Sequence, residues 1–485
     1  MTTLDFSTYR FYEKIAKSQL PNWRIQALFN LDVFQKTGFP IRIESNLELR
    51  TIIDTMQEER FEPILNELHG LSEEEYERYL NALESNVRLQ LQMYPHLEPL
   101  PPFDAMLHAL LVNLRLESLK PEFKSLLEIG PGCGYNSFYL KDKNTLENYS
   151  VTDACESFYL LQNQVNQYCF GNNYEQKVPL DLNYNGPEIN RKLGLSDITL
   201  TEIDDHSCNI VNNNVIKCSH YPWWQLGNLY DNESTFDIVM SNSNLLEFSK
   251  GALVYYLDFI HKKLDSNGYF TVIGSGYYAT IEEFEQLNEF IYKAGFAPIM
   301  LLQGTADIYD LNSIGKFFDQ EETVILAPFS EKVRRYLYEY LEETLTGKKI
   351  IIVDDNITSH EDFPECQFMT TDAFNNSNIS AKAMVGTYTD SLREKFTHVF
   401  ESKNIETISL DDKITDPIQF CMWNAVFVNS KHKLYEKYHD MKYFRRPYFV
   451  AKEMDLETLY LRNDINNKKV FSKDDVKKDL EKRFL

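Results

Sequence analysis

The spacing of apolar residues changes in character near Ser125. Before this point, apolar positions in 76–91 and 106–119 recur three and four residues apart, which predicts amphipathic helices. Ser72, followed three residues later by Glu75, is the pattern of a capping box at the start of the first helix. We therefore expect a helical N-terminal region over 1–120.

Beyond Ser125, short apolar runs alternate with helical stretches. The runs, each of which predicts a strand, are 125–129, 149–152, 215–218, 236–240, 269–273, 298–302 and 323–327. Helical patterns lie between several of them, including 252–264 and 281–294. Strands that alternate with helices indicate a parallel, doubly wound sheet. We expect an α/β domain over 121–330, interrupted by a polar insertion at 181–214.

A second, small α/β domain is predicted over 346–430. Its strands are expected at 349–353, 383–385 and 405–410, with a helix at 390–402 and a connecting helix at 331–346. The remaining 431–485 form an aromatic and then charged C-terminal tail, whose end from about Asn463 predicts a frayed helix or a loose tail.

Composition narrows the range of functions. Of the 485 residues 43% are hydrophobic and 14% aromatic, which excludes general disorder. The net charge of −24 argues against a nucleic-acid groove, and no apolar run is long enough to span a membrane. Seven scattered cysteines without a C-x-x-C pair favour free thiols, and the N-terminus lacks a signal-peptide pattern. We expect a cytoplasmic protein that acts on small molecules.

The segment that ends at Gly134 carries the strongest chemical signal. It reads SLLEIGPGCG, an apolar strand followed by three alternating glycines and a predicted helix. Glycines let the backbone turn sharply and approach a ligand at the positive end of a helix. Tyr135, at the sixth position, argues against a dinucleotide pyrophosphate. Glu128 suits a positively charged amino group, and a tight turn without a ligand is the alternative.

Asp153 ends the next predicted strand, about twenty residues after the glycine loop. A carboxylate at this place accepts hydrogen bonds from both hydroxyls of a ribose. The alternative is a surface aspartate that ends a strand. Taken together, the loop and Asp153 fit an adenosine ligand without a diphosphate.

These features carry a resemblance to a known superfamily. The E-x-G-x-G-x-G segment, the strand that ends in Asp153, FDIVMSNSNLLE at 236–247 and KLDSNGYF at 263–270 resemble class I S-adenosylmethionine-dependent methyltransferases over 125–328. Within that superfamily, 151–162 and 241–248 are similar to the sugar O-methyltransferases. The resemblance implies a Rossmann-like seven-stranded methyltransferase sheet, S-adenosyl-L-methionine as cofactor, and O-methylation of a sugar or glycan precursor.

The same resemblance assigns the cofactor contacts. The glycine loop is expected to hold the methionine part, Glu128 to lie under its amino group, and Asp153 to hold the ribose. The full set of expected contacts is Glu128, Gly130, Pro131, Gly132, Gly134, Asp153, Ala154, Ser219, His220 and Asn242. The usual aspartate that reads the adenine amine is absent after the third strand, so Ser219 or His220 substitutes for it, or Trp223 stacks on the base.

Methyl transfer to a hydroxyl requires an acceptor held in line and a base or a metal. The resemblance places the end of the fourth strand beside the methyl group, so Asn242, Ser243, Asn244 and Glu247 are candidates. Glu247 is either the base or a carboxylate that complements the start of a helix. Histidines titrate near neutral pH, so His206 and His220 are alternative bases.

No metal site is assigned. A divalent metal remains open at Asp204, Asp205 and His206, although aspartate pairs are common in loops. The mirrored pattern of His206-Ser-Cys208 and Cys218-Ser-His220 matches no zinc spacing, so a polar hairpin with buried thiols is favoured.

Two other functions remain open. One is a methyltransferase for a peptide or another small metabolite, and the other is a catalytically silent scaffold with the same fold. The intact Glu128, glycine triplet and Asp153 argue against the scaffold. We expect a small-molecule or glycan acceptor, no nucleic acid, no membrane span, and a possible homo-oligomer contact through the small C-terminal domain.

Overall fold

The chain forms two compact units. A computed structural model describes residues 5–19, 40–57, 60–179, 215–242, 244, 245, 248–275, 290–303, 316–327, 347–355, 366–385, 390–409, 422–439 and 468–484. The first unit comprises Met1–Met300, Ala425–Met441 and Tyr448–Leu485. The second comprises Leu301–Asn424 and Lys442–Pro447.

The helices and strands are numbered in chain order. The helices are α1 (Phe6–Gln19), α2 (Asn46–Thr55), α3 (Phe61–Glu67), α4 (Glu73–Met93), α5 (Phe103–Leu119), α6 (Ser137–Leu140), α7 (Glu156–Phe170), α8 (Leu226–Asp231), α9 (Lys250–Lys263), α10 (Thr371–Asn375), α11 (Asp390–Ser402), α12 (Tyr435–Tyr438) and α13 (Lys473–Lys482). The strands are β1 (Ser125–Ile129), β2 (Asn148–Asp153), β3 (Tyr174–Gln176), β4 (Cys218–Pro222), β5 (Phe236–Asn242), β6 (Leu264–Ser275), β7 (Phe296–Gln303), β8 (Thr323–Leu326), β9 (Lys349–Val353), β10 (Gln367–Met369), β11 (Ala383–Val385), β12 (Thr407–Ser409) and β13 (Met422–Asn429).

The first unit is built on a sheet with the order β3-β4-β2-β1-β5-β6-β13-β7. The pairs from β3 through β6 are parallel. Buried apolar side chains fill β1 and β5, as expected for strands covered on both faces. The inner order β4-β2-β1-β5-β6 is the Rossmann order, which confirms the predicted Rossmann-like α/β class.

Eight strands form this sheet in the described part of the chain, rather than the predicted seven. The short edge strand β3 has no continuous apolar run, so its sequence gave no strand signal. β13 also joins this sheet, although 422–429 fall within the predicted small domain and no strand is predicted there. The predicted limits of 121–330 and 346–430 therefore differ from the observed division.

β4 lies further along the chain than predicted. It covers Cys218–Pro222 instead of 215–218, and it pairs with β2 from Tyr149↔Cys218 to Asp153↔Pro222. The strand alternates buried and half-buried residues, so its sequence shows no continuous apolar run. Ser219 and His220 consequently lie within the strand and not after it.

The second unit holds a parallel sheet with the order β10-β9-β8-β11-β12. β8 was predicted as the last strand of the first sheet, but its residues pair with β9 and β11. The predicted strand 349–353 and helix 390–402 are confirmed by β9 and α11. The expected connecting helix at 331–346 and the insertion at 181–214 lie outside the described residues.

The N-terminal helical region is confirmed by α1–α5. Ser72 and Glu75 form the predicted capping box at the start of α4. One buried apolar cluster joins these helices to α6 and α7. The buried carboxylate of Glu156, at the start of α7, forms ion pairs with Arg10 and Arg42, which fixes the N-terminal segment next to the end of β2.

Of the two forms predicted for the C-terminal end, a frayed helix or a loose tail, the structure shows a helix, and this helix is docked. α13 buries Val476 and Leu480 and packs against α4. The Tyr76 ring stacks on Phe471 with centroids 3.9 Å apart, and the Tyr76 hydroxyl donates to Asp479 at 2.9 Å. The segment is mostly charged, so its sequence shows little apolar periodicity. Val476 and Leu480, four residues apart, are nevertheless enough to anchor a short helix.

In the described part of the chain, no helix combines the length and apolar character needed to cross a membrane.

Leu480→Ala is expected to loosen α13. Leu480 is 4% exposed, and truncation of a buried leucine costs about 2–5 kcal/mol unless the helix detaches first. Hydrogen exchange of the amides in 473–482 should therefore accelerate. Val470, which is 74% exposed, provides the control, because Val470→Ala should leave that exchange unchanged. Equal exchange in both variants would show that Leu480 does not hold the helix.

Candidate functional site

Three glycines of the β1–α6 loop have positive φ angles. The values are +65° for Gly130, +58° for Gly132 and +76° for Gly134. A Cβ atom on Gly130 would lie 2.2 Å from Nδ2 of Asn244, so this position admits no side chain. A Cβ atom on Gly132 would meet no atom within 4 Å. The loop thus presents bare backbone to open space at Gly132, directly after the carboxyl end of β1.

Asn244 ties the end of β5 to the end of β1. Its Nδ2 donates to the Ile129 carbonyl, and its Oδ1 accepts from the Ser241 hydroxyl at 2.5 Å. The side chain is buried, and both ends of its amide serve the protein itself. The amide thus holds the glycine loop, and this geometry gives no support to the predicted catalytic role of Asn244.

Glu128 lies inside the protein, beneath the loop. It has no exposed surface; Asn136 Nδ2 donates to its Oε1 at 2.7 Å, and the Tyr149 hydroxyl donates to its Oε2. Burial raises the pKa of Glu128 to about 7. Asn136 in turn accepts from Asn113 of α5 at 2.9 Å. Both carboxylate oxygens bind internal donors and the side chain has no exposed surface, so direct contact of Glu128 with a ligand amino group stays a prediction.

Asp153 lies beside the loop at the end of β2. The Gly130 N–H donates to the neighbouring Thr152 carbonyl at 2.8 Å, which brings the two strand ends together. Asp153 Oδ1 accepts from the Cys155 amide at 2.8 Å, and Oδ2 accepts from Gln162 Nε2 at 2.7 Å. Burial raises its pKa to about 6, and the residue keeps 8% of its surface exposed.

His220 is a buried member of the sheet. Its Nε2 lies 3.0 Å from Gln162 Oε1, its Nδ1 lies 3.1 Å from the Tyr174 hydroxyl, and its ring stacks on Tyr159. Burial lowers the pKa of His220 to about 3. With both nitrogens hydrogen bonded and no exposed surface, His220 does not fit the predicted role of base or adenine contact.

The other predicted contacts differ in their exposure. Pro131, Ala154, Ser219 and Asn242 are each half-buried, and Ser219 points to the sheet face opposite His220. Trp223 has no exposed surface, and its ring meets Trp224 edge-on at 5.5 Å. The hypothesis that Trp223 stacks on a base is corrected accordingly.

Several candidates lie outside the described residues. They are Asp204, Asp205, His206, Cys208, Ser243 and Glu247. Where side chains are described, no group of three or more histidine, cysteine, aspartate or glutamate residues is arranged to hold a metal ion.

Sequence reasoning missed the amides that surround the two carboxylates. Gln162, Asn163 and Asn166 of α7 are buried, with Gln162 bound to Asp153, Asn163 to Tyr174 and Asn166 to Ser137, and Asn136 precedes α6. A signal was present, because 162 and 166 are one helical turn apart among apolar neighbours. A polar stripe on a helix that must cover a sheet indicates buried hydrogen-bonding partners.

Comparison with solved structures gives only distant likenesses. The cyclase SpnF matches with 14% identity and a TM-score of 0.26, over 42% of this chain and 62% of its own. The N-methyltransferase NodS from Bradyrhizobium japonicum, bound to S-adenosyl-L-homocysteine, matches with 13% identity and a TM-score of 0.25, over 47% and 92%. The O-methyltransferase TomG from Streptomyces achromogenes, bound to SAM, matches with 14% identity and a TM-score of 0.20, over 40% and 64%.

The chain thus spans less than two thirds of SpnF and of TomG. At these TM-scores the likenesses support no conclusion about this chain. No family model matches the chain, and no curated protein does.

The titration of Glu128 gives a pH-dependent prediction. Its pKa rises from 4.5 in the unfolded chain to about 7 in the folded protein, so the folded state holds a proton that the unfolded state releases between these values. Wild-type stability should therefore fall as the pH rises through this window. Glu128→Gln removes this titration. The free energy of unfolding of the variant, relative to that of wild type, should therefore be on the order of 2 kcal/mol higher at pH 8 than at pH 4.5.

Urea unfolding of wild type and variant at both pH values measures this effect. Glu147→Gln is the matched control, since Glu147 pairs with Lys124 on the exposed surface and should contribute little. A constant difference between wild type and Glu128→Gln at the two pH values would contradict the assignment.

Proposed function

We propose that the first unit binds S-adenosyl-L-methionine at the carboxyl ends of β1 and β2 and transfers its methyl group to a hydroxyl of a sugar or glycan precursor. The observation that supports this most is the open space above Gly132, in a loop of positive-φ glycines next to the buried carboxylate of Asp153.

The topology supports the location. In open parallel sheets, ligands bind outside the carboxyl ends of the strands, at the point where the strand order reverses. Here the order reverses between β1 and β5, with β2 on one side and β6 on the other. The glycine loop leaves β1 at this point, and Asn244 closes it from the end of β5.

The residues present fit the cofactor. The loop backbone near Gly132 would accommodate the methionine part, because a close approach is possible only where no side chain intervenes. Asp153 would accept the ribose hydroxyls with the lone pairs that Cys155 and Gln162 leave free. When bound, the cofactor supplies a methyl group on a positively charged sulfur, ready for displacement by an oxygen.

The acceptor class rests on the sequence alone, through the similarity of 151–162 and 241–248 to the sugar O-methyltransferases. Gln162 and Asn244 fall in these segments and support the cofactor site instead of facing an acceptor. Glu247 remains the proposed base and His206 the alternative, while His220, which has no exposed surface, is not proposed as the base.

Gly132→Val should abolish cofactor binding. The branched side chain would fill the open space above the loop, and it also introduces strain at a φ of +58°. Calorimetry with S-adenosylhomocysteine should show a loss of at least about a hundredfold in affinity, equivalent to removing several contacts. Gly171→Val is the matched control, because Gly171 also has open surroundings and a φ of +54°, but lies at the end of α7.

Unchanged affinity in a folded Gly132→Val protein would exclude this loop as the site. A similar loss in Gly171→Val would mean that backbone strain, and not the filled space, weakens binding.

Glu247→Gln tests catalysis against a scaffold role. If Glu247 removes the hydroxyl proton, the variant should bind the cofactor normally but turn over roughly a hundredfold more slowly. The assay incubates sugar-nucleotide and glycan pools with methyl-labelled cofactor, with and without EDTA. Wild-type turnover in the variant would move the base to His206. Loss of activity with EDTA, followed by recovery with Mg²⁺, would point to Asp204, Asp205 and His206 as metal ligands. Tight cofactor binding without labelled product from any pool would favour the scaffold.

A further inference from the structure

One side-chain nitrogen joins the two halves of the proposed cofactor site. Gln162 Nε2 donates to the Gly132 carbonyl at 2.7 Å and to Asp153 Oδ2 at 2.7 Å. Gly132 belongs to the loop after β1, whereas Asp153 ends β2, so the amide connects two separate strand ends. Gln162 has no exposed surface, so water does not compete for these bonds.

The orientation of the Gln162 amide is determined by its neighbours. Gly132 and Asp153 both present acceptors, so the nitrogen must face them and Oε1 must face His220. His220 Nε2 must then carry a hydrogen, and its Nδ1 accepts from the Tyr174 hydroxyl. A flipped amide would turn its oxygen toward two acceptors, which would leave buried groups unpaired.

His220 is itself held in place. Asn163 Nδ2 donates to the Tyr174 oxygen at 2.8 Å, which leaves the Tyr174 hydrogen free to point at His220. Tyr159 stacks on the imidazole with ring centroids 3.8 Å apart and donates its hydroxyl to the His220 carbonyl at 3.0 Å. These contacts form a chain from Asn163 to Asp153, which we call the amide relay: Asn163, Tyr174, His220, Gln162 and Asp153.

We propose that Gln162 is a positioning residue that fixes Asp153 and the glycine loop relative to each other, and that the relay through His220 and Tyr174 makes this site selective for a ligand with an intact ribose diol. The inference rests on the proposed function only in its choice of an adenosyl ligand. One oxygen of Asp153 is bound by the Cys155 amide and the other by Gln162. The carboxylate therefore has one orientation, and its remaining lone pairs have fixed directions.

A positioning role and a purely structural role predict different results. Loss of packing would weaken every ligand of the site by the same factor. Loss of orientation would weaken only the ligands whose hydroxyls meet Asp153. The ratio of affinities for two ligands that differ in one ribose hydroxyl therefore separates the two roles.

The experiment compares S-adenosylhomocysteine with its 2′-deoxy and 3′-deoxy analogues by calorimetry. Wild type should prefer the intact ribose by about tenfold or more for each hydroxyl, the usual effect of a hydrogen bond to a charged group. Gln162→Met keeps the length of the side chain but removes the amide. It should reduce the preference to near unity while affinity for the deoxy analogues changes little.

Tyr174→Phe tests the far end of the relay and carries the test if Gln162→Met does not fold. Without the hydroxyl, His220 Nδ1 loses its donor, so the imidazole that holds Gln162 Oε1 is less firmly placed and the diol preference should fall at least threefold. Tyr139→Phe is the matched control, since Tyr139 is a buried tyrosine whose hydroxyl donates to the Met106 carbonyl at 2.8 Å, outside the relay.

The outcomes distinguish the inference from the proposed function. If S-adenosylhomocysteine does not bind wild type, the proposed function fails. If it binds, but Gln162→Met or Tyr174→Phe lowers all three affinities equally, the positioning role is overturned and the cofactor site stands. An unchanged preference in the folded variants also overturns it.

Discussion

The proposed cofactor site depends on a constraint that two buried carboxylates impose. Glu128 and Asp153 lie on the same face of the first sheet, on neighbouring strands, and each would be costly to bury without hydrogen-bond donors. The protein supplies uncharged donors: an amide and a phenol for Glu128, a backbone N–H and an amide for Asp153. Among the residues that the structure describes, no buried cation neutralises either group, and both pKa values rise towards neutrality.

This requirement explains the polar character of the layer between the sheet and its helices. Each amide that donates to a carboxylate has an oxygen that needs its own donor, so the network spreads outward. The side-chain oxygen of Asn136 accepts a hydrogen bond from Asn113 in the N-terminal helical region, and that of Gln162 accepts one from His220. The N-terminal helices are thereby linked to the glycine loop through hydrogen bonds as well as through apolar packing.

Local features of the fold could be predicted from the sequence, and long-range ones could not. The glycine loop, β1, β2 and the Ser72 capping box depend on residues adjacent in the chain, so their patterns are visible. His220 was interpreted as a reactive group because a sequence does not show which polar residues are buried. Its place in β4 follows from pairing with a distant strand, and that pairing also shifted the strand limits.

The same distinction applies to domain limits. β13 carries the apolar pattern expected of a strand, but the pattern does not reveal which of two sheets it joins. β8 was assigned to the wrong sheet for the same reason. Strands of two Rossmann-like units have similar local sequences, since both are covered on two faces.

The position of β13 has a consequence for how the protein is made. This strand lies between β6 and β7 in the first sheet, yet it follows all strands of the second unit in the chain. A chain growing on the ribosome therefore exposes an incomplete sheet until the second unit has emerged. The contact order of the first unit is high in consequence, which slows folding and prolongs the time in which unpaired strand edges can meet another chain.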